Sequence, residues 1–394
     1  MNERGRSVGT VRVVIVQPVQ SPYWTVRLKE LARHTDLKIT LLLERGSFAH
    51  RPGWRPEAIE GVDLEILGST IVSNVRKGDD LGYRIEGIRS IPWRLISTLW
   101  RLRPDVVVVC NATEILLALP LRRLVGFQLA LIVEDTPHAS RNLGKVARPL
   151  KQWAYRHANG WFAFSEDARR YLEQIGITYG VERSSWSLDT TEFRPANDSG
   201  GRKGNSQGGC GRKVVFVGAL VGNKGVDALL ASWRDLSLEA RGRHELWIVG
   251  SGPLRNQLEK VIAENGLDDV SILGQVSYAD VRDLLQKADL LVLPTLQDLF
   301  SLTVLEAMAS GCPVITTPFN GARELVEEEV NGWIVDPTQP GALTAALARA
   351  LSPDIDLRQM GLAARARVEG MDNVPVMRQF AESLRKLAWS RDPA

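Results

Sequence analysis

Cysteine is scarce: Cys110, Cys210 and Cys312 are the only three in 394 residues, far apart and never at Cys-x-x-Cys spacing. That argues against a disulfide framework and a cysteine zinc site, and it fits a reducing compartment. The five histidines show no ligand-like spacing either. Long apolar runs are also missing. The nearest approach, Val106–Leu121, is interrupted by Asn111, Glu114 and Pro120, so it reads as a strand followed by a helix rather than a membrane span. The opening MNERGRSVGTVRVVIVQPVQ carries basic residues but a short apolar run, and reads as a lead-in and a first strand, not a signal peptide. A cytoplasmic protein is expected, soluble or peripheral at the inner face of a membrane. On that expectation the glycosylation-like triplets at Asn111 and Asn197 are chance matches.

A strong charge of either sign is absent too. The net charge of +3 calls for no nucleic-acid partner. The charge is unevenly spread: residues 1–195 hold 28 Lys+Arg against 21 Asp+Glu, or +7, and the rest 21 against 25, or −4. A basic first half suits an anionic membrane surface or a phosphate-bearing acceptor; a random spread of surface charge is the alternative.

Hydrophobic residues make up 44%, enough for two ordinary cores at about 150 residues per domain. Short β-branched runs alternate with helical stretches. Val11–Val16, Lys38–Leu43, Asp105–Val109, Leu129–Val133 and Trp161–Phe164 read as strands; Trp24–Arg33, Pro92–Leu102, Thr113–Val125, Lys145–His157 and Glu166–Ile175 read as helices. Ala196–Lys213, ANDSGGRKGNSQGGCGRK, has no hydrophobic period and reads as a flexible linker or loop. The alternation then restarts, with strands at Val214–Val217, Glu245–Val249, Val270–Leu273, Leu290–Leu293, Pro313–Thr316 and Trp333–Val335. Helices are expected at Val226–Leu236, Leu254–Glu264, Tyr278–Lys287 and Leu302–Ala309. Near-continuous apolar strands between helices imply parallel sheets covered on both faces. The expected fold is α/β, two doubly wound Rossmann-like domains at 1–195 and 214–373 facing each other across a cleft, with a helix at 374–394 crossing back to the first.

Three constellations carry chemistry. In Val217-Gly-Ala-Leu-Val-Gly-Asn-Lys-Gly-Val226, Gly218, Gly222 and Gly225 lie between a strand and a helix, with Lys224 among them. Glycine lets backbone approach a phosphate, and lysine offers it a compact charge; the spacing is not that of a Walker loop, and a plain glycine turn with a solvated lysine is the alternative. Val249-Gly-Ser-Gly-Pro-Leu254 places Gly250 and Gly252 at another strand end. The third is Leu293-Pro-Thr-Leu-Gln-Asp-Leu-Phe-Ser-Leu-Thr-Val-Leu-Glu306. Here Ser301 can cap a helix whose free Leu302 and Thr303 amides favour an anion, flanked by Asp298 and Glu306. Carboxylates accept well from vicinal sugar hydroxyls, so two acids around a phosphate-binding helix start can grip a nucleotide sugar; surface acids near a helix start are the alternative.

Ser301-Leu-Thr-Val-Leu-Glu-Ala-Met-Ala-Ser-Gly-Cys-Pro-Val314 resembles the signature of glycosyltransferase family 4, retaining enzymes of the GT-B fold. So do Phe216-Val-Gly218 with Lys224-Gly-Val-Asp227, and Val249-Gly-Ser-Gly-Pro253. Phe164-Ser-Glu-Asp-Ala168 and Leu188-Asp-Thr-Thr-Glu-Phe-Arg-Pro195 are similar to the family's exit from its first domain, and Asn320-Gly-Ala-Arg-Glu-Leu-Val326 and Asn331-Gly-Trp-Ile-Val-Asp-Pro337 to its last strands. The likeness is specific over roughly 160–345.

The resemblance implies transfer of a sugar from a UDP- or GDP-sugar to a glycan or lipid-linked acceptor, in cell-surface polysaccharide or glycolipid synthesis, with no metal and no cofactor. Lys224 would neutralise the diphosphate, Asp298 hold hydroxyls of the moving sugar and Glu306 bind the ribose. Phe300, Ser301, Leu302 and Thr303 would surround the phosphate, with Gly218, Gly225, Gly250 and Gly252 beside the donor, and the base would lie near Gly274, Gln275 and Val276. The family's front-face mechanism keeps the anomeric configuration, the leaving phosphate taking the acceptor's proton. Two positions depart from the pattern. Ala219 stands where an arginine is usual, which opens the alternative of a non-catalytic partner subunit or sugar-nucleotide binder, and Asp298 replaces a glutamate. A nucleotide-sugar epimerase or a phosphorylase is a third option; no motif offers a pyridoxal phosphate lysine.

The first half says less. Tyr23 and Trp24 can stack on an acceptor sugar or pack at a helix start. Glu134 stands where the family often has a donor-contacting histidine, with His138 as the alternative. Ile88–Arg103, IRSIPWRLISTLWRLR, reads as a basic amphipathic helix, for a membrane interface or for packing on the sheet.

Overall fold

The computed structural model describes residues 9–47, 54–76, 85–140, 145–195 and 211–390. The strands are β1 Val11–Gln17, β2 Leu37–Leu43, β3 Val62–Ile66, β4 Thr70–Arg76, β5 Ile85–Ile91, β6 Val106–Val109, β7 Gln128–Val133, β8 Gly160–Ala163 and β9 Val181–Arg183, then β10 Lys213–Val217, β11 Glu245–Val249, β12 Val270–Gly274, β13 Leu290–Val292, β14 Val314–Thr316 and β15 Gly332–Ile334. Chain contacts divide them between two units: Met1–Leu188 with Asn373–Ala394, and Asp189–Asp372.

The first unit holds a sheet in the order β3-β2-β1-β6-β7-β8-β9, every pairing parallel. Its centre is built from valine: all four residues of β6 are fully buried. A strand apolar on both faces can sit only where helices cover both sides, and crossover helices do this. The first begins on a local signal: Ser21 caps Pro22–Leu31 by accepting from the Trp24 amide at 3.3 Å, with Pro22 in the first turn. The C-terminal helix Asn373–Trp389 packs into this unit. Phe380 lies on Phe162 with ring centres 4.5 Å apart, and Arg385 Nη2 donates to Asp36 Oδ1 at 2.8 Å.

The second unit has a six-stranded sheet, order β12-β11-β10-β13-β14-β15, again wholly parallel. The chain leaves β10 toward β11 on one side and returns as β13 on the other. The carboxyl ends of β10 and β13 therefore flank a switch point, where open α/β sheets leave room for ligands.

The observed elements differ from the expected ones in places. The division falls after Leu188 rather than at 195, because Thr190 donates to Asp372 Oδ2 at 2.8 Å through its hydroxyl and Arg365 donates to the Thr190 carbonyl at 3.0 Å. Most of the expected linker, 196–210, lies outside the described residues. No strand was expected between Leu43 and Asp105, yet β3 extends the sheet and β4 pairs with β5 in an antiparallel ribbon of its own. The Ile88–Arg103 helix is corrected accordingly. Ile88–Ile91 belongs to β5, and the helix runs Arg94–Leu102, after Pro92. No helix of the described residues is long and apolar enough to cross a membrane.

Candidate functional site

Four loops meet at the carboxyl ends of β10, β11, β13 and β14. After β10 the chain makes a tight turn, Gly222–Lys224, and enters the helix Val226–Arg234 through Gly225 at φ +69°. A Cβ on Gly225 would stand 2.1 Å from the Pro294 carbonyl oxygen, so only glycine lets this turn lie against the loop after β13. The Asn223 carbonyl fixes the contact, accepting from the Leu296 amide at 2.8 Å and from Thr295 Oγ1 at 2.8 Å. Gly250, at φ +142°, lies so close to the Gly218 carbonyl that a Cβ would come within 1.8 Å of its oxygen. A Cβ on Gly252 would meet the Leu220 carbonyl at 2.4 Å. The glycines expected to approach a phosphate thus have a demonstrable task in fitting loops together.

The loop after β13 is held from the other side by Asn320, which is fully buried. Its Oδ1 accepts from the Ser301 and Ala322 amides, both at 3.1 Å, and its Nδ2 donates to Thr316 Oγ1 at 2.9 Å. Ser301 precedes the helix Leu302–Ala309, but its side chain makes no capping bond, so the expected cap is corrected: Asn320 does the holding, through the Ser301 backbone. The amides of Leu302 and Thr303 have no partner among the described residues. They are the unsatisfied donors that every helix start presents. Phe300 is buried beside them.

Lys224 and Asp298 come together across these loops, Nζ to Oδ2 at 2.5 Å, both largely shielded from water. Glu306 lies on the second turn of the helix and is 3% exposed. Burial pushes its carboxyl up to about 7, against the opposing effect of a hydrogen bond from Tyr278 Oη to Oε1 at 2.9 Å. Tyr278 was not among the expected site residues; its ring is set edge-on against Phe193, centres 5.6 Å apart. At the end of β12, Ser251 Oγ reaches Gln275 Oε1 at 3.4 Å, Val276 is half-buried and Gly274 takes φ +73°. Ala219 is exposed.

In the first unit, Trp24 is 4% exposed, with the guanidinium of Arg27 5.4 Å from its ring centre and Phe164 at 6.4 Å. Of its two readings it takes packing, while Tyr23 is half-buried at the helix start. Arg27 is itself fully buried, 4.3 Å from the centre of the Trp186 ring; burial lowers its pKa and the charge of Glu134 opposes the shift. Glu134 is half-buried at the end of β7, and His138 is exposed on the short helix Pro137–Ser140. Burial, then Glu114 and Glu134, pushes the Cys110 thiol up, so it offers no ready thiolate nucleophile.

The family-model match falls on the second unit. Residues 211–353 fit the family model described as Glycosyl transferases group 1. The putative colanic acid biosynthesis glycosyltransferase WcaL of Escherichia coli is 30% identical over 293 residues, 72% of this chain and 70% of that protein. The chain belongs to the group 1 glycosyltransferases. The amylovoran biosynthesis glycosyltransferase AmsK of Erwinia amylovora is 33% identical over 184 residues, 45% of each chain, so the match spans about half of that relative. Among solved structures, Anabaena Alr3699/HepE in complex with UDP superposes with a TM-score of 0.72 at 15% identity, covering 96% of this chain and all of that one. That likeness is one of fold: the two α/β units form a GT-B glycosyltransferase fold.

Proposed function

We propose that this group 1 glycosyltransferase is a retaining, metal-independent enzyme that moves a sugar from a UDP- or GDP-sugar to a glycan or lipid-linked acceptor in polysaccharide or glycolipid synthesis. The observation that carries the reading is the gathering, at one switch point, of the Lys224–Asp298 pair, the free Leu302 and Thr303 amides and the buried Glu306. The amides and Lys224 take the diphosphate, whose charge grows as the glycosidic bond breaks. Glu306, in its ionised form, accepts from the ribose hydroxyls, and Asp298 from hydroxyls of the moving sugar. The leaving phosphate accepts the acceptor's proton as the new bond forms on the same face. Gln275 and Val276 lie beside the base. Acceptor recognition falls to the first unit, with Tyr23 as its candidate, while Glu134, or His138 in its place, keeps the donor-contacting role that the family resemblance implies.

The test is turnover of a panel of UDP- and GDP-sugars with extracted glycolipid and oligosaccharide acceptors, the product's anomeric configuration read by NMR. One donor consumed with retained configuration supports the reading; an inverted product overturns the retaining mechanism. Ala219, exposed and without a guanidinium, favours a second reading, a non-catalytic nucleotide-sugar binder. That protein would bind the nucleotide yet turn over no donor with any acceptor.

A further inference from the structure

Arg27 lies on the inner face of the helix Pro22–Leu31 and is wholly shut off from water. Three buried rings enclose its guanidinium, their centres 5.4 Å away for Trp24, 5.3 Å for Phe164 and 4.3 Å for Trp186. The rings brace one another, with Phe164 6.4 Å from Trp24 and 5.2 Å from Trp186. Nη2 reaches the Ser185 carbonyl at 3.5 Å. Nε and Nη1 are buried with no hydrogen-bond partner among the described residues. Burial brings the pKa down to about 9, so the group is still charged at neutral pH. A buried cation bonded to no carboxylate destabilises a fold, and an apolar side chain of similar volume would fill the cage without that penalty.

Glu134 is the carboxylate whose charge bears on Arg27. It is half-buried at the carboxyl end of β7, beside β8, the strand that delivers Phe164. Its neighbour Asp135 is already engaged. Lys151 Nζ donates to Asp135 Oδ1 and Tyr155 Oη to Asp135 Oδ2, both at 2.5 Å, from the helix Ala147–Arg156. The two acids of this loop thus answer to different cations: Asp135 to Lys151 through a direct bond, Glu134 to Arg27 through its field.

We propose that Arg27 is a positioning residue for Glu134: a fixed positive charge that draws the carboxylate toward the aromatic cage and so sets the direction from which its oxygens accept from hydroxyls of the donor's sugar. The proposal rests on the reading that Glu134 contacts the donor. Arg27 itself touches no substrate, because none of it is exposed. A planar guanidinium stacks on rings, so the cage holds the charge in one place, as no mobile surface cation could be held. The low dielectric around it lets the field reach further than it would in water. With no carboxylate bonded to it among the described residues, that field is left for Glu134.

The experiment is a double-mutant cycle on the full chain: Arg27→Met, Glu134→Gln and the two combined, with Arg27→Lys beside them. Urea unfolding reads the link without any substrate. Glu134→Gln should lower stability in the wild type, where it strips Arg27 of its counter-charge, and leave it unchanged in the Arg27→Met background. Arg27→Met alone should be as stable as the wild type or more so. Titration with UDP and GDP should give unchanged affinity in every variant, since neither residue lies in the second unit. Steady-state rates with the UDP- or GDP-sugar that the wild type turns over read the function. Arg27→Met should raise the donor KM about tenfold with kcat nearly unchanged, and Arg27→Lys, which keeps the charge, should recover most of that loss. Additive effects of the two substitutions on stability would overturn the proposal, as would an unchanged KM in the folded methionine variant. A methionine variant that loses stability and kcat together would reduce Arg27 to a packing contact and overturn it too. A wild type that turns over no sugar donor takes down the transferase reading and the donor role with it, while the unfolding cycle still decides whether Arg27 acts on Glu134.

Discussion

Lys224 Nζ and Asp298 Oδ2, 74 residues apart in sequence, meet at 2.5 Å between the loops that follow β10 and β13. The acid thus neutralises the lysine, and in the proposed donor site an incoming diphosphate must compete for it. Asp298→Asn should raise the affinity for free nucleoside diphosphate severalfold while lowering transfer, because the lysine is released and a sugar contact is weakened. Lys224→Ala should lower both affinity and kcat, the latter by about a hundredfold or more. Isothermal titration with the diphosphate and steady-state rates check the pair; weaker binding by the asparagine variant would contradict it.

Glu306 couples the site to pH. Its carboxyl titrates near 4.5 when unfolded and near 7 when buried in the native state. Between those values the native protein holds a proton that the unfolded chain has released. Stability from this residue thus falls as pH rises from about 4.5 to about 7, by up to about 3 kcal/mol, and stays lowered above. Glu306→Gln should raise Tm at pH 8 and leave it nearly unchanged at pH 4. An equal effect at both pH values would show that burial of the charge is not the cause.

Much of this site can be read from the sequence, and the unread part has a physical cause. Glu306 and the amides of Leu302 and Thr303 follow from one helix start, a local pattern. The Lys224–Asp298 pairing, the hold of Asn320 on Ser301 and the reach of Tyr278 to Glu306 arise only when separate strand ends converge. The glycines were legible as special but not as loop spacers, because a Cβ clash with another loop leaves no mark in one-dimensional spacing. β3 and β9 were missed for a related reason: they are edge strands, with residues such as Asp63, Glu65 and Glu182 where a central strand has only apolar ones.

Tyr278 is assigned a positioning role on Glu306. Tyr278→Phe keeps the ring against Phe193 and removes the bond that favours the ionised carboxylate. The KM for donor should rise several-fold with kcat nearly unchanged, and the pH below which nucleotide binding weakens should move upward. A change in Tm alone, with the pH profile unmoved, would reduce the tyrosine to a structural contact.

Gly225 and Gly250 are predicted to tolerate no side chain. A Cβ at either would collide with a backbone carbonyl oxygen, at 2.1 Å and 1.8 Å respectively, so the loops themselves must move. Gly225→Ala and Gly250→Ala should each cost about 2 kcal/mol or more in urea unfolding of the second unit and weaken nucleotide binding with it. An alanine variant as stable as the wild type would contradict the close approach.

The central claim is that the second unit binds a nucleotide-sugar donor through Glu306, and calorimetric titration of wild type and Glu306→Gln with UDP, GDP and their sugar conjugates tests it most directly. The account predicts saturable binding of one nucleotide family by the wild type and a loss of at least roughly tenfold in the folded variant. No binding of any of these nucleotides, or equal binding by both proteins, would contradict it.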